Sequence, residues 1–201
     1  PFFSKKRISK MADARNHYMQ YVDSIDGEYD YMMVVDLDVA QLYCDNIMTS
    51  FADDAPDWDV VTAYGYSRSP MMKMRYHDTY AMVEYGEEDL PQTEDTIYKV
   101  ATFMAKEMRI KKWKRVFSAF GGLAIYRFEL VRGLRYGVLP NNDSRVEVRC
   151  EHYSIYHQMV RRKPNLKVYI NSQMKIHYQK VTLELIWNTI KRMFNGWHIN
   201  G

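Results

Sequence analysis

The chain has 201 residues and a formal net charge of +3, with 47% hydrophobic and 26% charged residues. Those proportions exclude disorder over most of its length and fit one domain spanning residues 1–201. Apolar runs such as Met32-Met33-Val34-Val35 fall far short of the roughly 20 residues a transmembrane helix needs, and so small a net charge argues against wrapping of a polyanion. Cys44 and Cys150 are the only cysteines, which excludes a disulfide scaffold and a four-cysteine zinc site. They are left as one disulfide or, the preferred expectation, as two buried free thiols in a reducing compartment. Neither an initiator Met nor a signal-peptide pattern precedes Lys5-Lys6-Arg7, so the chain reads as a processed piece or part of a longer protein. Tyr (17) and Met (14) are abundant and suit either a ligand cleft or an aromatic core.

In chain order, Ile8, Met11, Ala12, Arg15, Met19 and Val22 recur at steps of three and four, which predicts an amphipathic helix capped by Ser4 with Arg15 as its one polar member. Tyr29 to Val35 reads as a strand buried on both faces in the middle of a sheet. Leu42 to Phe51 has helical character, and Trp58 to Tyr64 is a second strand. Thr79 to Glu84 is a third strand, followed by an acidic loop from Gly86 to Pro91 and a helix capped near Thr93 that runs through Met108. Phe117 to Tyr126 is apolar and interrupted by Gly121-Gly122, where the backbone bends or approaches something closely. Cys150 to Arg162 reads as a helix, Lys167 to Asn171 and Met174 to Tyr178 as two short strands, and Val181 to Phe194 as a final helix. This alternation predicts an α/β protein with a mostly parallel or mixed sheet, which binds ligands at the carboxyl ends of its strands.

Val34-Val35-Asp36-Leu37-Asp38-Val39 is the most informative segment. Side chains at i and i+2 after a strand share a face about 7 Å apart, so Asp36 and Asp38 can converge on one cation. Hard carboxylate oxygens suit Mg²⁺ or Mn²⁺, whose remaining ligands come from water and substrate phosphates. A solvated acidic turn is the alternative. Arg15, the lone charge on an apolar helical face, is either paired with an acidic neighbour or turned to a cleft.

The order of several motifs resembles nucleotide-sugar-dependent glycosyltransferases of the GT-A fold. These motifs are Ala12-Asp13-Ala14-Arg15-Asn16, Tyr29 through Asp38, Tyr76-His77-Asp78-Thr79-Tyr80-Ala81, Ser118 through Tyr126, and Cys150-Glu151-His152. Over residues 7–178 the chain is similar to fungal capsule-associated mannosyltransferase-like proteins and to glycosyltransferase domains of large algal DNA viruses. The resemblance implies a three-layer α/β/α, Rossmann-like domain with a mixed central sheet. It further implies a nucleotide-sugar donor, UDP-linked in preference to GDP-linked, and a glycan or glycoprotein acceptor.

By the same resemblance, Asp36 and Asp38 hold the metal, with His177 as a third ligand. Arg15, Asn16, Asp36, Gly121 and Gly122 bind the donor, and Glu151 or Asp78 is the general base of an inverting reaction. The expected location is cytoplasmic, or the Golgi lumen if the chain belongs to a longer membrane-anchored protein. Such a domain normally opens with a strand, whereas a short basic segment precedes the first helix here. An upstream strand or a differently built base-binding wall is therefore expected.

Two other readings come from other residues. Lys111-Lys112-Trp113-Lys114-Arg115 and Arg161-Arg162-Lys163 are basic clusters that could contact nucleic acid, and the first of them could instead orient the domain toward an anionic membrane or, with Arg68, close over a donor. A non-catalytic carbohydrate-binding domain is the second. His152 and His157 lack the spacing of a zinc hydrolase pair.

Overall fold

The computed structural model describes residues 2–68, 74–108 and 110–178, together with positions 186, 187, 190 and 191. Helix α1 (Lys5–Ser24) starts earlier than its apolar stripe because Ser4 caps it, its hydroxyl accepting from the Arg7 amide at 3.4 Å. Strand β1 (Tyr31–Val35) follows, then the short α2 (Cys44–Met48) and a 3-10 turn (Thr49–Phe51). Strands β2 (Val60–Arg68), β3 (Met74–Tyr76) and β4 (Val83–Glu84) precede helix α3 (Glu94–Glu107), at whose start the Thr93 hydroxyl accepts from the Thr96 amide. Strands β5 (Trp113–Ser118) and β6 (Leu123–Arg127), helices α4 (Phe128–Val131) and α5 (Glu151–Arg162), and strand β7 (Val168–His177) complete the described elements. None of the described helices is long and apolar enough to cross a membrane.

The strands form one seven-stranded sheet in the order β1-β6-β2-β7-β5-β4, with β3 paired to β2 off that path. Only β2 and β7 pair in parallel; the other pairings are antiparallel, so the sheet is mixed. Side-chain alternation sorts the sheet into two cores. Val60, Tyr64, Ala124, Tyr126, Val168 and Ile170 meet α1, α3, α4 and α5 on one face. Val61, Ala63, Leu123 and Ile125 meet the α2 region on the other. The register of β7 shifts between Asn171 and Lys175 opposite Ala63 and Tyr64, and the irregularity moves Met174 and Ile176 to the second face.

Several expectations need correction. The first strand is an edge strand, not a central one: Tyr31 and Met33 are exposed while Met32 and Val34 are buried. The expected third strand contracts to Val83–Glu84 because side chains, not a neighbouring strand, satisfy its backbone. The Gln92 amide donates to the Tyr80 and Met82 carbonyls, and the Ser118 hydroxyl donates to the Ala81 carbonyl at 2.7 Å. The two late strands are one irregular strand, β7. Cys44 is exposed and Cys150 buried, and both are free thiols. The expected helix from Val181 to Phe194 lies mostly outside the described residues, as does the side chain of Arg68.

The glycine pair is explained by topology. Between β5 and β6, which are not paired with each other, the chain crosses over β7 and β2. A Cβ on Gly121 would lie 2.1 Å from the Ala63 carbonyl oxygen, and its φ is +64°. Gly121→Ala is therefore expected to destabilise the protein by about 3 kcal/mol or more, through left-handed strain added to a backbone clash, as read by urea denaturation.

Candidate active site

The crossing places Gly122 beside the end of β1, where its carbonyl accepts from the Asp36 amide at 2.9 Å. Past that bond the chain turns outward: Leu37 is fully exposed, and Asp36 and Asp38 both line a cavity of about 460 Å³. Arg15 enters from α1, His77 and Asp78 from the turn after β3, and Cys150, Glu151 and His152 from the start of α5. Tyr178 arrives from the end of β7. Apart from Arg7 and Thr79 the remaining wall is largely apolar, with Phe2 and Phe3 ahead of α1, Tyr80, and Ile97 and Tyr98 of α3. Such a division into an acidic and an aromatic side suits a ligand with both charged and apolar surfaces.

The electrostatics centre on Arg15. Its Nε donates to Glu151 Oε1 at 3.0 Å and its Nη2 to Asp36 Oδ1 at 3.3 Å, while its guanidinium carbon lies 5.1 Å from the centre of the Phe120 ring. Burial opposes the charge, but Glu151, Tyr136 and Asp36 outweigh it and hold Arg15 firmly protonated. Glu151 is fully buried and spends Oε1 on Arg15, while Oε2 accepts from the Cys150 thiol at 3.4 Å. Burial raises the Asp36 carboxyl above its ordinary range against the pull of Arg15.

Asp78 is poised differently. Its Oδ2 accepts from the Gly121 amide at 3.2 Å, and that is its one hydrogen bond among the described residues. Burial, then the charges of Glu151 and Asp36, push its pKa up to about 7. A carboxyl group tuned to neutrality in a cavity is suited to proton transfer.

The structure brings Arg15, Asp36, Asp38, Asp78 and Glu151 together in one cavity and leaves the other proposed residues out of its lining. Asn16 is used in packing: its side chain donates to the Tyr136 carbonyl at 2.9 Å and accepts from the Tyr136 amide at 2.8 Å. Gly121 and Gly122 serve the crossing over β2 and the seating of Tyr178. His177 stacks on Tyr66 at 4.7 Å, and its backbone bridges Gln41. Among the described residues no three His, Cys, Asp or Glu side chains converge as a ready-made metal site. Two carboxylates facing one cavity still fit a hard divalent ion that takes the rest of its shell from water and phosphate.

The basic clusters are already engaged. Lys111 pairs with Glu107, Lys112 with Asp54, and Lys114 with Glu84 and Glu107, while Arg115 lies over Tyr85. Trp113, Lys114 and Arg115 belong to β5 and not to a closing loop. Lys163 pairs with Asp59, and Arg162 donates to the Leu130 and Arg132 carbonyls.

Among the cavity residues given no site role from the sequence are His77, His152 and Tyr178. His77 stacks on Tyr178 at 3.7 Å, and burial lowers its pKa, with Asp38 opposing. His152 is buried, stacks on Phe120 at 4.0 Å and, among the described residues, has no hydrogen-bond partner on either ring nitrogen; burial keeps it neutral. Tyr178 directly follows His177, just beyond the end of β7, and lines the cavity, whereas His177 stacks on Tyr66.

Fold and site together define an α/β protein with an acidic cavity at the carboxyl end of a strand. The chain matches no family model and no curated protein.

Proposed function

We propose that this protein is a divalent-metal-dependent glycosyltransferase of GT-A type, moving a sugar from a nucleoside diphosphate to the hydroxyl of a glycan acceptor. The observation that carries this reading is the charge imbalance of the cavity. Four carboxylates, Asp36, Asp38, Asp78 and Glu151, line it against Arg7 and Arg15, and Arg15 is already shared between two of them. A pyrophosphate entering such a space needs an accompanying cation. Asp36 and Asp38 would hold Mg²⁺ or Mn²⁺, which when bound neutralises negative charge on a departing diphosphate.

The residues of the chain divide the remaining work. Glu151 fixes Arg15, whose guanidinium geometry suits a phosphate oxygen at the same wall. In an inverting transfer Asp78, with one oxygen committed to Gly121 and the other open, takes the proton from the acceptor hydroxyl as that oxygen bonds the anomeric carbon. Glu151, with one oxygen on Arg15 and the other on the Cys150 thiol, suits that role less well than Asp78.

A thermal-shift panel of UDP-sugars and GDP-sugars, each with and without Mn²⁺, tests the reading. Stabilisation that requires both metal and nucleotide is the expected result, because ligands that bind the folded chain raise its melting temperature by mass action. Absence of a shift with every pair overturns it.

A further inference from the structure

We propose that Tyr178 is a positioning residue that fixes the Asp36 carboxylate, and that Gly122 lacks a side chain in order to seat the Tyr178 hydroxyl. The inference rests on reading the cavity as a cation-dependent site, to which it adds a residue and a reason for a glycine.

Asp36 is the first residue beyond β1 and is followed by the fully exposed Leu37, so packing of its successor does not set its side chain. Two contacts do. Oδ1 accepts from Arg15 Nη2 at 3.3 Å, and Oδ2 accepts from the Tyr178 hydroxyl at 3.3 Å. Each oxygen therefore has a donor on a different wall, one on α1 and one just beyond β7.

Tyr178 is itself held. Its amide donates to the Tyr66 carbonyl at 3.2 Å, and its ring stacks on His77 at 3.7 Å with 21° between the planes. Its edge lies against two glycines. A Cβ on Gly65 would lie 3.0 Å from Tyr178 Cε2, and one on Gly122 would lie 2.4 Å from the Tyr178 hydroxyl oxygen and 2.7 Å from Cζ. Gly122 also binds the Asp36 amide through its carbonyl oxygen.

The three residues close a triangle: Gly122 holds the Asp36 backbone, Gly122 seats Tyr178, and Tyr178 holds the Asp36 carboxylate. Fixing one carboxylate oxygen from behind leaves the group aimed at the cavity, which is how outer partners tune a ligand they do not replace.

Tyr178→Phe keeps the ring and its stacking and removes only the hydroxyl. In the full chain, Mn²⁺ titrated in the presence of UDP or GDP and followed by the electron paramagnetic signal of the free ion is expected to bind about tenfold more weakly in this variant. Its melting temperature should stay within about 2 °C of the wild type. Gly122→Ala should weaken Mn²⁺ binding as well, and by less in the Tyr178→Phe background than in the wild type, because both changes act on one contact.

Wild-type Mn²⁺ affinity in Tyr178→Phe overturns the inference. If the wild type itself binds no Mn²⁺ with either nucleotide, the functional reading falls. A crystal structure of Tyr178→Phe then decides the positioning claim without any ligand: a rotated Asp36 carboxylate supports it, and an unmoved one overturns it.

Discussion

Asp36→Asn is expected to abolish the metal-dependent stabilisation by sugar nucleotides and to lower turnover by about a hundredfold to a thousandfold. The substitution is nearly isosteric and removes a charge where charge is the working property. Its structural cost should be small. Arg15 keeps its 3.0 Å bond to Glu151, and the asparagine carbonyl can still accept from Tyr178 or Arg15. The melting temperature without ligand should therefore fall by only a few degrees, whereas the shift induced by Mn²⁺ and nucleotide should vanish. Asp38→Asn should act in the same direction with a smaller effect, since Asp38 is exposed and has no hydrogen-bond partner among the described residues. Single-turnover rates and thermal shifts measured on the same preparations check both points. A variant at position 36 that turns over and binds metal like the wild type removes the metal-dependent mechanism.

How much of this was legible in sequence follows from the range of the interactions involved. Helix α1 was readable because its stripe and its Ser4 cap are local, and the strand before Asp36 because its β-favouring run is local, although Asp36 and Asp38 themselves lie in the turn beyond it. What one segment does to another was not readable. The edge position of β1 depends on β6 lying on one side of it alone, and no alternation within Tyr31–Val35 encodes a missing neighbour. Thr79 to Met82 has a strand-like composition but loses its ladder to Gln92 and Ser118, one further along the chain and one on β5. The same blindness affected the site. Arg15 was placed between a structural ion pair and a ligand contact, and the structure supplies the ion pairs through partners 21 and 136 residues away. Asn16 carried no sign of Tyr136, and the register shift within β7, which carries Met174 and Ile176 to the second face, arises opposite Ala63 and Tyr64.

Asp78→Asn should separate stability from activity most clearly, because the same burial that suits Asp78 for proton transfer makes its ionised form costly. Its pKa rises from 3.8 to about 7 in the folded chain. Below about pH 4 the carboxyl is protonated folded or unfolded and contributes nothing. Between that value and about 7 the folded chain keeps a proton the unfolded chain has released, so stability falls as pH rises through this window, and above it the deficit is constant. Asparagine has no such dependence. The variant should therefore melt higher than the wild type at pH 8, by about 2–6 °C after allowance for solvent screening of a half-buried group, and the gap should close toward pH 4. Turnover should move the opposite way, falling by about a hundredfold to ten-thousandfold where Asp78 is ionised in the wild type, since the amide cannot take a proton from the acceptor. In the wild type the rate should rise with pH as Asp78 ionises, at a lower pH than in the cation-free chain because the cation offsets the Asp36 charge that helps raise it. A variant that gains stability at pH 8 and keeps full activity assigns the proton to another group, and one that gains no stability removes the charge crowding on which the assignment depends.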